Sequence, residues 1–266
     1  GLPDSPGVTA GATADTVVVA WNDPDGVEAA FAEAGADIAL VACEPVAANM
    51  GVVPPEPGFL AFLREITTRH GALLLFDEVM TGFRLGRGGA TEHFGVTPDL
   101  VAFGKVVGGG YPLAAFGGRA DVLRQLAPEG PVYQAGTLSG NPVAVAAGLA
   151  QLRQLNTAAY DGLLQRADRL IEGLSKAFAD AGVAAQVPRV ASMFSVFFAN
   201  QPVRDYAGAT AADHGRYARF FNGMLSRGHY LPPSGYEAIF VSLAHTPEDL
   251  DATVAAAHDV AQDLAG

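Results

Sequence analysis

Three scarcities bound what this chain can be. It holds one cysteine, Cys43, in 266 residues. An internal disulfide is therefore impossible, and a reducing, cytoplasmic setting is expected. Long apolar runs are missing too: the stretch 143–150 (VAVAAGLA) stops far short of the roughly 20 residues a membrane-spanning helix needs. No basic segment followed by an apolar run opens the sequence, so no secretory leader is expected in it. Positive charge is the third scarcity, with 16 Lys and Arg against 28 Asp and Glu and a formal net charge of −12. That balance repels nucleic acid and anionic membrane surfaces, which excludes both as expected partners. A small anionic ligand is not excluded, because a local field can oppose the global charge.

Within the basic set, lysine is the rare member: only Lys105 and Lys176 are lysine, and the rest are arginine. Guanidinium keeps its proton near neutral pH, so a chemistry that needs an amine nucleophile needs lysine. The count alone is compatible with chance.

What is present describes a folded α/β protein. Half of the residues are hydrophobic and 17% are charged, which excludes disorder and coiled coil. The 32 glycines and 17 prolines follow no fixed period, so the chain is neither collagen-like nor a solenoid. Residues 16–20 (TVVVA), 38–43 (IALVAC), 72–76 (ALLLF), 100–103 (LVAF) and 113–116 (LAAF) read as strands. The run 38–43 is apolar throughout, as for a strand covered on both faces. Between them, Asp23 caps a helix that starts at Pro24 and stops at Gly35, with Val27, Ala30, Phe31 and Ala34 on one face; a second helix spans 58–70 and ends at Gly71. Strands alternating with helices predict a mostly parallel sheet.

Beyond residue 142 the pattern changes. Helices are expected over 142–155, 158–181 and 211–227, with strands at 184–187, 193–198 and 239–241. Thr246-Pro247-Glu248-Asp249 is a capping box that opens a last helix to about Leu264. The expected division is a large domain over 1–157 and a smaller α+β domain over 158–266.

In a parallel sheet, ligands sit beyond the carboxyl ends of the strands. Asp77 and Glu78 follow ALLLF there, and Gly104 and Lys105 follow LVAF. From topology alone, a buried ion pair or a carboxylate capping the next turn explains these charges as well as a site does. Lys105 lies among apolar residues and the glycines 108–110, where enclosure favours a neutral, nucleophilic amine and the glycines leave space for a flat ligand. The glycines match neither a P-loop nor a dinucleotide fingerprint. Residues 133–142 (YQAGTLSGNP) bring hydroxyls and free N–H groups to a helix start, which suits an anion or an ordinary helix cap.

Taken together, the runs DEVMTGFR (77–84), GVTPDL (95–100), GKVVGGG (104–110), VYQAGTLSGNP (132–142), EPVAANMGVVPP (44–55) and GLPDSPGV (1–8) resemble the glutamate-1-semialdehyde 2,1-aminomutases. These form a branch of the class III pyridoxal-phosphate-dependent aminotransferases, of fold type I. The resemblance runs the length of the chain and is weakest in its last third. It implies that Lys105 is the Schiff-base lysine and proton carrier, and that Asp77 pairs with the pyridinium nitrogen of pyridoxal 5'-phosphate or pyridoxamine 5'-phosphate. It places Val79 on a ring face, Asn49 near the ring hydroxyl, and Gly136 and Thr137 at the phosphate of a neighbouring subunit in a homodimer. Tyr133 and Glu237 match substrate-pocket positions, and Glu44 stands behind them.

The implied reaction is conversion of (S)-glutamate-1-semialdehyde to 5-aminolevulinate. A general class III ω-aminotransferase and an inactive fragment are the alternatives. Ala48 and Ala191 stand where the family has glycine, at a cost of about 1 kcal/mol wherever φ must be positive. The family's N-terminal portion, with a phosphate loop, a ring-stacking aromatic and part of the dimer surface, is not in this sequence, so a chain lacking that portion is expected.

Overall fold

The computed structural model describes residues 5–265. After a single-turn helix α1 (Ala10–Thr13), the β-branched run 16–20 is extended but pairs with no strand among the described residues. Val17 and Val18 stand about two thirds exposed, and only Val19 packs against the core. The expected strand is thus corrected: β propensity needs a neighbouring edge to act on, and none lies beside it.

Helix α2 (Pro24–Ala34) begins as its cap predicts, with Asp23 Oδ1 accepting from the Gly26 N–H at 2.9 Å. It buries Val27 and Phe31. Then follow β1 (Leu40–Cys43), α3 (Phe59–His70), β2 (Leu73–Asp77), α4 (Gly89–Phe94), β3 (Leu100–Phe103), β4 (Ala115–Gly118) and the short α5 (Ala120–Leu123). A single 3-10 turn, Lys105–Gly108, follows β3. Gly71 ends α3 in the left-handed region at φ 72°, where a side chain would be strained.

The first sheet has the order β1-β2-β3-β4, with β1, β2 and β3 parallel and β4 antiparallel to β3. One face packs on α2 and α3 through Val27, Phe31, Leu63, Ile66, Leu74 and Phe76. The other is partly open, with Leu40 and Ala42 of β1 exposed. The expectation that 38–43 is covered on both faces is therefore corrected: Leu40 and Ala42 stay exposed, and among the described residues β1 is an edge strand.

Asp99 clasps this sheet at its start. Its backbone N–H donates to Leu74 O, and its buried carboxylate accepts from the Leu74 N–H (2.8 Å), Arg64 Nη1 (2.7 Å) and Arg119 Nη1 (3.1 Å). One side chain thus ties β2 to α3 and to the end of β4.

The rest of the chain builds a second layer. Helix α6 (Pro142–Gln154) is capped by Asn141, and α7 (Thr157–Asp180) by Asn156. A three-stranded antiparallel sheet follows, formed by β5 (Arg189–Val190), β6 (Met193–Phe194) and β7 (Ile239–Phe240). Helices α8 (Tyr206–Ala211), α9 (His214–Ser226) and α10 (Pro247–Ala265) complete it. The capping box forms: Thr246 N donates to Asp249 Oδ2, and Asp249 N to Thr246 Oγ1. Leu170, Leu174, Phe178, Phe194, Phe220 and Val260 anchor a core that joins α7, α9 and α10 to the second sheet. No helix among the described residues is long and apolar enough to cross a membrane.

Two expectations change here. The helix expected over 211–227 is α9, which starts at His214 because Asp213 caps it through the Arg216 N–H, and the short α8 before it was not expected. The strand expected at 184–187 contributes only an isolated bridge, Gln186 to Phe197, and pairing begins at Arg189. Of the two alanines that replace glycine, Ala191 does hold φ at 50°, whereas Ala48 is not among the positive-φ residues.

The clasp carries a prediction. Burial pushes the Asp99 carboxyl up, but the Leu74 N–H and the Arg64 and Arg119 guanidiniums outweigh it and hold the group below its ordinary value. A depressed carboxylate stabilises the fold above the ordinary range, near pH ~4, and loses that contribution as pH falls through its lowered value. Asp99→Asn is expected to lower stability at pH 7 by about 2 kcal/mol. The gap from the wild type, measured by denaturant unfolding at several pH values, should narrow in acid. A gap that stays constant with pH would contradict this account.

Candidate active site

Parallel pairing sets the geometry of the site. Cys43 lies opposite Phe76, and Asp77 opposite Ala102. The chain therefore leaves β1, β2 and β3 at one common edge, carrying Glu44, Asp77 and Lys105 there. Asp77 is half-buried, and its Oδ1 accepts from the Val79 N–H at 3.0 Å, which turns the chain back over the strand ends. Gly104 is buried beneath Val79; a Cβ there would lie 3.2 Å from Val79 Cγ1, so glycine allows the close passage. Lys105 follows with φ at 48°, a left-handed conformation that costs a non-glycine residue about 1 kcal/mol or more. Its Nζ reaches Met80 Sδ at 2.7 Å. Asp77, Val79 and Lys105 are brought together as the sequence suggested.

Two details differ. Lys105 is exposed, not enclosed among apolar residues, because no described element covers this edge of the sheet. The glycines do not all leave space for a ligand. A Cβ on Gly109 would meet Ala147 O of α6 at 2.8 Å, and one on Gly108 would crowd Leu113 at 3.3 Å. Gly109 lets α6 pack onto the turn that bears Lys105, Gly108 makes way for Leu113, and of the three only Gly110 faces open space.

A second group joins from β1 and from the later sheet. Glu44 orients the loop after β1, accepting from the Ala48 N–H (3.0 Å) and from Asn49 Nδ2 (2.7 Å). Gly51 N donates to Tyr236 O at 2.7 Å. Fully buried Ser195 accepts from the Val52 N–H (2.8 Å) and donates to Glu237 O (2.9 Å). Asn49 and Glu237 are thereby held on neighbouring loops, with both side chains exposed. Tyr133, Gly136 and Thr137 are not drawn in. They sit on the exposed loop 131–140, with Tyr133 82% exposed; Val132 ties its start to Gln125 and Ala127, and α6 follows its end.

Several contributors escaped the sequence reading. Ser195 is a lone hydroxyl inside a buried apolar run, and a polar residue so placed demands a partner. Arg84 stacks over the Phe240 ring at 4.1 Å and donates from Nε to Met80 O, while Tyr160 OH donates to Phe83 O at 2.9 Å. These contacts tie the DEVMTGFR segment to α7 and β7. Burial lowers the Arg84 guanidinium from its ordinary value, though an arginine stays charged. Cys43 also lies near the site; burial, with Glu44 and Asp77 adding, pushes its thiol up to about 12. A thiol that keeps its proton is a poor nucleophile.

Comparison with known proteins fits this geometry. The family described as Aminotransferase class-III matches residues 5–258. The chain is 56% identical over 259 residues to a glutamate-1-semialdehyde 2,1-aminomutase of Sorangium cellulosum, covering 97% of this chain and 59% of that protein. It is 52% identical to a glutamate-1-semialdehyde 2,1-aminomutase 2 of Bacillus velezensis, covering 98% and 61%. The chain thus spans about three fifths of the length of the curated relatives it matches.

Among solved structures, an omega-transaminase from Sphaerobacter thermophilus superposes with a TM-score of 0.92 at 33% identity, over 99% of this chain and 61% of that one. A glutamate-1-semialdehyde aminomutase from Pseudomonas aeruginosa PAO1 gives 0.83 at 30% identity, over 94% and 57%. The parallel sheet, its shared strand edge and the match over nearly all its residues lead to one assignment: the chain belongs to the class-III aminotransferase family.

Proposed function

We propose that this chain is the larger part of a glutamate-1-semialdehyde 2,1-aminomutase, which forms 5-aminolevulinate, a precursor of tetrapyrroles. The observation that carries the reading is the placement of Asp77 and Lys105 at adjacent ends of β2 and β3, under Val79. Identity above 50% to proteins of that name supports the choice of substrate. A second reading, an ω-aminotransferase, is favoured by the structural likeness to the Sphaerobacter enzyme.

The donor set fits pyridoxal phosphate: a carboxylate, a primary amine on the neighbouring strand end, and a valine over the glycine between them. When bound, that group supplies a transferable nitrogen and an electron sink. Asp77 would face the ring nitrogen and hold its proton there by charge. Lys105 Nζ would anchor the cofactor and move a proton between its C4′ and the reacting substrate carbon; it is the exposed amine of this edge. Val79 would pack on one ring face, and Asn49, held by Glu44, would meet the ring hydroxyl. Glu237 and Tyr133 would orient the substrate.

Gly136 and Thr137 would bind phosphate across a homodimer. The exposure of Leu138 and Val143 beside them in the chain, with Leu149 further along α6, supports a second copy on this face. The single cysteine and the lack of a membrane-crossing helix among the described residues support a cytoplasmic location.

In the native protein, glutamate semialdehyde should yield aminolevulinate with no added amino acceptor, followed by absorbance after condensation of the product. Lys105→Ala should lower kcat by about 10²–10⁴-fold, the scale of a lost acid–base group. A strict need for an oxo-acid co-substrate would favour the second reading instead.

For the interface, Val143→Glu with Leu149→Glu should shift the mass seen by light scattering from dimer to monomer and weaken cofactor retention. A mass unchanged by both substitutions would argue against this face.

A further inference from the structure

The carboxylate next to Asp77 has no assigned task. Glu78 is 1% exposed, yet its four partners are all neutral. Oε2 accepts from Thr81 Oγ1 (3.0 Å) and the Ala90 N–H (2.7 Å), and Oε1 from the Thr91 N–H (3.2 Å) and Thr91 Oγ1 (3.1 Å). Burying a carboxylate without a cation is costly, and hydrogen bonds to the charged form are what make it tolerable. Two of the donors are first-turn N–H groups of α4, which Gly88 at the cap position cannot satisfy with a side chain. A serine or aspartate cap has no room at position 88, where a Cβ would lie 2.6 Å from Glu92 Cβ. The chain instead uses a glutamate beside Asp77 and closes round it: Gly89 has φ at 60°, and a Cβ there would collide with Glu78 Oε2.

The consequence reaches the strand ends. Glu78 N donates to Ala102 O at 2.9 Å, which extends the grip of β3 one residue past Asp77, and Glu78 O accepts from the Gly82 N–H at 2.8 Å. With the side chain locked to residues 81, 90 and 91, the backbone of 77–82 has little freedom. That segment presents Asp77, bound through Oδ1 to the Val79 N–H, then Val79 above Gly104, then Met80 against Lys105 Nζ.

We propose that Glu78 is a positioning residue for the cofactor site: it fixes the angle at which Asp77 meets the ring nitrogen and the height of Val79 over the ring. This rests on the reading of Asp77 and Val79 given above. The carboxylate takes part in no bond making; it acts through the loop it locks.

In Glu78→Gln the amide NH2 must face a backbone N–H, of Ala90 or of Thr91, whichever way it turns. The native protein, stripped of cofactor and titrated with pyridoxal phosphate, should then bind it about tenfold more weakly, the scale of one lost buried hydrogen bond. At saturation, the visible absorption band should move toward that of Asp77→Asn, since both alter the environment of the ring nitrogen. Thr91→Val removes one hydroxyl donor and keeps the charge; it should give a smaller effect of the same kind and decides the matter if Glu78→Gln does not fold.

A lowered melting temperature with wild-type affinity and an unmoved band, in whichever variant folds, would mean that Glu78 only caps α4, and would overturn the proposal. Wild-type affinity and spectrum in Asp77→Asn would sink the reading of the site, and the proposal with it. A weakened Asp77→Asn beside an unaffected Glu78→Gln would sink the proposal alone.

Discussion

The parallel pairing of β1, β2 and β3 is the constraint on which the site depends. In an antiparallel meander, Asp77 and Lys105 would leave the sheet at opposite edges. Parallel strands need long crossover connections, and here α3 and α4 supply them while covering one face of the sheet. Asp99 holds the other end of the same strands by joining Leu74, Arg64 and Arg119. Acidic groups therefore lie at both edges of the sheet with opposite tasks. One is saturated by donors and fixed in place; the other, Asp77, is only partly engaged and half-buried.

Much of this was legible in the sequence because local rules and tertiary packing agree. Asp23-Pro24 and Thr246-Pro247-Glu248-Asp249 mark helix starts that the structure realises through the expected side-chain contacts, and Gly71 ends α3 in the left-handed region. The strands before Asp77 and Lys105 were readable as short apolar runs, and their alternation with helices implied parallel order. What failed was whatever depends on neighbours distant in sequence. Nothing local shows that 16–20 lacks a strand to pair with, that β1 is an edge, or that β4 runs antiparallel. The glycines after Lys105 were read as space for a ligand, whereas Gly109 is packed by α6 and Gly108 by Leu113. A glycine records that something comes close without recording what.

The site residues separate by how firmly they are held. Asp77, Val79 and Asn49 each take part in a hydrogen-bonded turn or loop, and the backbone of Glu237 is pinned by Ser195. Tyr133, Gly136 and Thr137 lie on an exposed loop held at its start by Val132, bonded to Gln125 and Ala127, and at its end by the α6 cap. The first group follows from the sheet and its immediate connections. The second lies outside the sheet and its immediate connections. The ties through Arg84 and Tyr160 add a link between the DEVMTGFR segment and the second sheet, so movement of that sheet would be felt at the loop that carries Val79.

The scarcity of lysine has a practical side. Of the two ε-amines, Lys176 is engaged by Asp180 one turn along α7, and Lys105 stands exposed at the strand edge. Arginine does not compete for carbonyl reagents or acylating agents as an amine does. Reductive alkylation or an activated ester would therefore mark this protein at very few side chains, and peptide mapping could read the state of Lys105 almost without background. A composition that looked like an accident of base usage leaves the reactive amine chemically conspicuous.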